Sequence, residues 1–171
     1  MIEVKICDSV LRRAAEAGLD EFFDTFVTAI LQAAGGRLDS ENMASLNSDQ
    51  ITLVAYSMLR EEVMDGGFVQ LIHNGLGPFF FRNPFDKAVT AWGIADLAAL
   101  MRKGRKLYHK HRSEIEIECD EDTFMALFEK LPAFDDLDDT FVANEETWTQ
   151  QIACYIDNNI ERFCTVVNDE A

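Results

Sequence analysis

The sequence predicts a mostly α fold: a single compact multi-helix domain over residues 1–171, with one short two-stranded ribbon formed by residues 2–6 and 114–118. Three observations predict it. Apolar residues recur at three- and four-residue spacing through most of the chain, the period of a helix with one buried face. Only three Pro interrupt 171 residues, so few helices are broken from within. Hydrophobic residues make up 48%, thirteen of them Phe. A chain of this length buries roughly 70% of its unfolded surface, so the core needs no disulfide or metal to hold it.

Taken in order, Ile2, Val4 and Ile6 alternate with Glu3 and Lys5 at strand period. Asp8 reads as the cap of a helix through Ala17 that stops at Gly18. Leu19, Phe22, Phe23, Phe26, Val27, Ile30 and Leu31 form one stripe, ended by Gly35 and Gly36. A turn or two follows between Asp39 and Leu46. Ser48 then caps a helix carrying Ile51, Val54, Ala55, Met58 and Leu59 on one face and stopping at Gly66-Gly67. A short helix over residues 68–74 leads into a loop, Gly75 to Pro84, that holds Phe79, Phe80 and Phe81. Pro84 suits the first turn of a new helix, which Gly93 interrupts. Ile94, Leu97, Ala98 and Met101 continue towards Tyr108. Ile115 and Ile117 alternate with Glu114, Glu116 and Glu118, which supplies the second strand of the ribbon, in either orientation. Asp120 caps a helix with Phe124, Leu127, Phe128 and Leu131. The last helix shows Trp148, Ile152, Tyr155, Ile156, Ile160 and Phe163.

Charge narrows the function. Thirty-one Asp and Glu face fifteen Lys and Arg, a formal net charge of -16. Such a field repels phosphate backbones and anionic lipid; it speaks against direct nucleic-acid or membrane binding and favours basic partners or cations. The imbalance is local. Residues 113–171 hold seventeen acids and two bases, whereas residues 102–112, RKGRKLYHKHR, hold six bases and no acid. The acidic block comprises Glu114, Glu116, Glu118, Asp120, Glu121 and Asp122, then Asp135, Asp136, Asp138 and Asp139, then Glu145 and Glu146. Acids at helix starts gain about 0.3–1 kcal/mol from the helix dipole, but caps need fewer of them, and like charges four apart cost about 0.2–0.5 kcal/mol. The block is therefore either a solvated face or a binding surface for something basic. The basic run either pairs with that block or serves an anionic partner.

No apolar run follows the N-terminal MIEVKIC, so the sequence shows no signal peptide. Residues 66–81, the longest uncharged stretch, are too rich in Gly and polar residues to cross a membrane. Cys7, Cys119, Cys154 and Cys164 lack CxxC spacing and read as reduced thiols of a cytoplasmic protein. His73, His109 and His111 complete no zinc spacing with them, and Asp135 to Asp139 lack the glycine and distal Glu of a calcium loop. The expectation is no cofactor and no metal.

The segment Glu61 to Gly77, EEVMDGGFVQLIHNGLG, matches no phosphate-binding loop. Glu62 falls on the apolar stripe of its helix, where a carboxylate needs partners; Gly66, Gly67, Gln70, His73 and Asn74 are near in sequence. Glu62 is either a structural tie between a helix end and the next helix or, with His73, an acid–base pair beside the Phe79–Phe81 loop. No nucleophile, metal set or oxyanion loop accompanies that pair, which favours the tie.

Glu62, Gly66, Gly67, Phe68, Gln70 and Asn74, followed by Ala88, Ala91 and Gly93, resemble the pattern of the bacterial DNA-mimic protein family. The likeness is densest over residues 57–95. It departs at Leu71, where the pattern prefers an aromatic, and at Asp65, where it prefers Asn. The resemblance implies a helical fold, a dimer, and surface carboxylates that imitate DNA phosphates to occupy a transcription factor's DNA-binding face. The matched residues themselves read as core and helix termini rather than as that surface.

The expected function is thus that of a non-enzymatic, acidic, cytoplasmic protein binding a basic DNA-binding protein by imitating DNA. Its competitors are a small-ligand binder or enzyme centred on Glu62 and His73, and a helical interaction module whose acidity serves solubility alone.

Overall fold

A computed structural model describes residues 1–169. They fall into two compact units: Met1–Ser57 together with the described residues from Glu146 onward, and Met58–Glu145.

In the first unit, strand β1 (Lys5–Cys7) leads into α1 (Asp8–Ala17), α2 (Leu19–Ala33), the single turn α3 (Ser40–Met43) and the start of α4 (Ser48–Leu71). The end of α9 (Asp135–Asp157), then α10 (Ile160–Phe163) and β2 (Thr165–Val167), complete it. Its core is aromatic. Phe26 meets Phe163 edge-on at 6.2 Å, and Phe23 meets Tyr56 at 5.9 Å. The Tyr56 hydroxyl is shared with Thr149 Oγ1 at 2.9 Å. The predicted α2 stripe is the buried one, with Phe23, Phe26, Val27 and Ile30 inward.

The helical class and the short ribbon are present, but the ribbon has another second strand. β1 pairs in parallel with β2, Lys5 opposite Thr165 and Cys7 opposite Val167, and Thr165 N donates to Val4 O at 2.8 Å. Residues 114 and 115 instead end helix α7 (Ala95–Ile115). Ile115 is fully buried and continues the helical stripe Leu97, Met101, Gly104, Tyr108. Two isoleucines two apart are too short a pattern to separate strand from helix end, whereas Thr165-Val166-Val167 is β-branched throughout.

Several caps sit one residue from their predicted places. Asp8 is the first residue of α1 and holds Arg12 at 2.7 Å rather than capping. Asn47, not Ser48, caps α4: its side chain accepts from Gln50 N at 2.9 Å, and Gln50 returns the bond to Asn47 N at 3.0 Å. Asp39 caps α3, and Asn158 and Asn159 separate α9 from α10.

In the second unit, α4 runs on through the glycine pair to Leu71. A wide π turn (Ile72–Leu76), α5 (Gly77–Arg82), α6 (Phe85–Ala91), α7, α8 (Glu121–Lys130), a 3-10 turn (Pro132–Phe134) and the start of α9 follow. The predicted Phe79–Phe81 loop is therefore helix. Gly77 opens it against Tyr108, where a Cβ would lie 2.5 Å from the ring. Phe81 stacks on Tyr108 at 5.2 Å, and Phe80 is buried, so these aromatics are core rather than a ligand loop. Asp120 caps α8 through Thr123 N at 2.8 Å, as its sequence predicts.

Candidate functional site

The glycine motif is a kink stabilised by a distant carboxylate. Gly66 stays helical, but Gly67 adopts φ 77°, ψ -176°, a region essentially closed to other residues. The ladder loses a bond there, and Phe68 N donates instead to Asp138 Oδ1 at 2.8 Å, from the first turns of α9. Asp138 also lies where a Gly67 Cβ would be. Burial pushes the Asp138 carboxyl up to about 6; the Phe68 bond opposes that, and Asp135 and Asp139 add to it. An acid whose folded pKa is raised lends stability that is complete below its unfolded value near 3.8 and lost as pH rises through 6. That difference corresponds to at most about 3 kcal/mol, and solvent screening of a half-buried group reduces it to about 1 kcal/mol. Asp138→Asn keeps an oxygen for Phe68 N and removes the charge. It should stabilise the protein by about 1 kcal/mol at pH 8 and leave it unchanged at pH 4. Asp138→Ala orphans the N–H and should cost about 1–3 kcal/mol at both. Urea melts at the two pH values check this.

Glu62 spans the kink through its side chain. Its Oε2 accepts from Gln70 Nε2 at 3.2 Å and Asn74 Nδ2 at 3.0 Å, joining α4 across its kink to the π turn. The Gly66 and Gly67 amides are not its partners, because Asp138 answers the kink. Nor does His73 pair with it: His73 Nδ1 donates to Ile115 O at 3.0 Å, and the ring lies 4.5 Å from Phe124. Being half-exposed, Glu62→Ala should cost about 1 kcal/mol by thermal melting.

The acidic block divides by its position on each helix. Asp135, Asp136 and Asp139 on α9 are exposed, as are Glu118, Glu121, Asp122 and Glu146. None of these seven makes an ion pair among the described residues. Glu114 is exposed against His111 at 3.0 Å, and Glu116 takes Arg112 at 3.3 Å and the Tyr108 hydroxyl at 2.6 Å. Asp120 is committed to its cap. Two expected surface residues turn inward: Asp138 to the kink, and Glu145, 6% exposed and ion-paired with Arg60. Both lie on the apolar stripe of α9 with Phe141 and Trp148, at spacings of three, four and three. That phase identifies them by the same logic that singles out Glu62.

The basic run is mostly turned elsewhere. Arg102 and Arg105 hold Asp86 at 3.2 and 2.6 Å, and Arg105 Nε also donates to Phe81 O at 3.1 Å. Burial raises the Asp86 carboxyl, but Arg105 and then Arg102 more than offset this and hold it below the usual carboxylate range. Lys103, Lys106 and Lys110 are exposed along one edge of α7.

An open groove of about 670 Å³ lies between the π turn and the chain leaving α7, lined by Ile72, His73, Gly75, Pro78 and residues 116–119. Among the described residues there is no cluster of His, Cys, Asp and Glu that would hold a metal, and no helix long and apolar enough to cross a membrane.

The family profile described as DMP19-like protein matches residues 44–159, a span that includes Glu62, the Gly67–Asp138 kink and the whole of the acidic block. The chain is also similar to the DNA mimic protein DMP19 of Neisseria meningitidis serogroup B, 32% identical over 143 residues, 83% of this chain and 86% of that protein. The protein belongs to the DMP19-like family.

Proposed function

We propose that this protein is a non-enzymatic, cytoplasmic, acidic protein of one domain that binds a basic DNA-binding protein, such as a transcription regulator, at the face the latter turns to DNA. The observation that supports this best is the group of exposed carboxylates that have no ion-pair partner among the described residues: Glu118, Glu121, Asp122, Asp135, Asp136, Asp139 and Glu146. Paired charge presents no net field to a partner; these do. The similarity to a protein named a DNA mimic supports the same conclusion. Asp138 and Glu145 drop out of the binding set because they are spent inside.

Charge density sets what such a surface can do. On α9, Asp135, Asp139 and Glu146 occupy one stripe over about 16 Å, at about 1.5 Å of rise per residue. A DNA strand carries roughly five phosphates over that length. One helix therefore supplies about half of a strand, and a symmetric pair of chains would supply a second row. The separate partners of Glu62 and His73 favour this reading over an acid–base pair.

The test is a capture from native lysate on the immobilised protein, eluted by a salt gradient, with duplex DNA of arbitrary sequence as competitor. Basic DNA-binding proteins should elute at moderate salt and be displaced by the duplex. The variant Asp135→Asn, Asp136→Asn, Asp139→Asn should fold normally, bind more weakly and show a shallower dependence of affinity on salt, by up to about 0.9 in log–log slope for each matched charge lost. A partner that holds DNA and this protein together through separate surfaces would overturn the proposal.

A further inference from the structure

The groove between the π turn and residues 116–119 offers something that a row of phosphates does not. Its lining joins an apolar floor, Pro78 and Ile117, to acceptors and contains no Lys or Arg. Ile117 is 43% exposed, an unusual use of a large apolar side chain between two glutamates. Glu116 already takes the Tyr108 hydroxyl and Arg112, one on each oxygen. Glu118 is exposed and without an ion-pair partner among the described residues, so it supplies the uncompensated charge of the groove. A carbonyl oxygen only accepts, so the bond to Ile115 O places a proton on His73 Nδ1 and fixes the ring beside the groove.

We infer that this groove takes an arginine side chain from the basic partner, the aliphatic stem lying on Pro78 and Ile117 and the guanidinium reaching Glu118 and the remaining lone pairs of Glu116. The inference rests on the proposed basic partner and adds a selective element to it. Arginine suits the groove better than lysine because a planar fork of five donors meets several acceptors at once, and a guanidinium is the more weakly hydrated of the two cations. A surface of bare carboxylates selects only for positive charge. A groove with an apolar floor selects for a partner that places one particular side chain there, and that part of the affinity persists when salt has screened the rest.

The experiment uses the intact protein, labelled with nitrogen-15, and the peptide acetyl-Ala-Ala-Arg-Ala-Ala-amide in 0.5 M NaCl. Its counterpart with citrulline, which has the same shape and no charge, is the control. The arginine peptide should shift the amides of residues 72–77 and 116–119, and the citrulline peptide should bind at least about tenfold more weakly. Glu118→Gln and Ile117→Ser should each weaken the arginine peptide about three- to tenfold, while Asp135→Asn, Asp136→Asn, Asp139→Asn leaves it unchanged. Ile117 and Glu118 are exposed, so neither change threatens the fold. Equal binding of the two peptides, shifts spread over α8 and α9 in place of the groove, or an Ile117→Ser variant that binds as before would each overturn the inference. No partner protein enters this titration, so it fails or succeeds separately from the lysate capture.

Discussion

Gly67→Ala is expected to cost about 3–4 kcal/mol and to lower the melting temperature by roughly 10 °C. Two effects add at this position. The backbone at φ 77°, ψ -176° admits a Cβ only with strain of about 1–3 kcal/mol. The Cβ would also enter the space of the Asp138 carboxylate, and forcing atoms into a packed site costs about 1–3 kcal/mol more. Two comparisons separate the effects. Gly35 also has positive φ, 91°, but nothing lies within 4 Å of its would-be Cβ, so Gly35→Ala should cost only about 1 kcal/mol. In the double variant Gly67→Ala, Asp138→Ala the collision is gone, so the loss should be smaller than the sum of the single losses. Calorimetry on the four proteins decides it; a Gly67→Ala protein as stable as Gly35→Ala would show that Asp138 yields and the kink is not fixed by packing.

How far the sequence reveals the fold depends on pattern length. The α2 stripe repeats over four turns and is unambiguous, and Asp120 three residues before Thr123 is a complete local cap, so both are legible. Strand β2 is three residues long and finds its partner nearly the whole chain away, which no local pattern encodes. The glycine pair reads as a stop because two adjacent glycines usually end a helix. Here only Gly67 leaves helical space, and the helix resumes because Asp138, seventy residues on, answers the freed Phe68 N–H. The Phe79–Phe81 segment reads as loop for its flanking Gly, Asn and Pro; burial against Tyr108 overrides that local preference.

The site is legible in composition and blurred in detail for a similar reason. Net charge identifies the acidic third of the chain, but which carboxylates face solvent is a matter of helix phase. Asp138 and Glu145 share the stripe of Phe141 and Trp148, while Asp135, Asp136 and Asp139 sit off it. The basic run looks positioned to neutralise the block because it precedes it in sequence. Only its end, His111 and Arg112, meets the block, at Glu114 and Glu116; its first two arginines instead turn back to Asp86 on α6, sixteen and nineteen residues earlier. The placing of His73 beside the groove is the least visible in sequence, since its Nδ1 is engaged by the carbonyl at the end of another helix.

That ion pair yields the second large effect. Asp86→Ala should destabilise the protein by about 3 kcal/mol, because the carboxylate is 5% exposed and accepts from both Arg105 and Arg102. Bonds to charged partners contribute about 1.5–3 kcal/mol each. The low end applies here, since both arginines retain access to water once released. The dependence on pH follows from the direction of the shift. The folded carboxyl sits below its usual value of 3.8, so the folded state binds this proton less readily than the unfolded chain does. The contribution is therefore complete above about pH 4 and is lost as pH falls through the folded value. Asp86→Asn, which keeps the shape and one acceptor, should lose somewhat less stability at pH 7 and flatten the acid limb of the stability curve. This is opposite in sign to Asp138, whose contribution disappears as pH rises towards 6. Urea melts from pH 3 to 8 on the parent, Asp86→Asn and Asp138→Asn should give curves that converge towards the parent at low pH and depart from it in opposite directions at high pH, Asp86→Asn below it and Asp138→Asn above it. A parent-like acid limb in Asp86→Asn would mean that Arg102 and Arg105 do not stabilise the charged form. In that case the arginines of the basic run would be free to face the acidic surface, and the field proposed for that surface would have to be reduced accordingly.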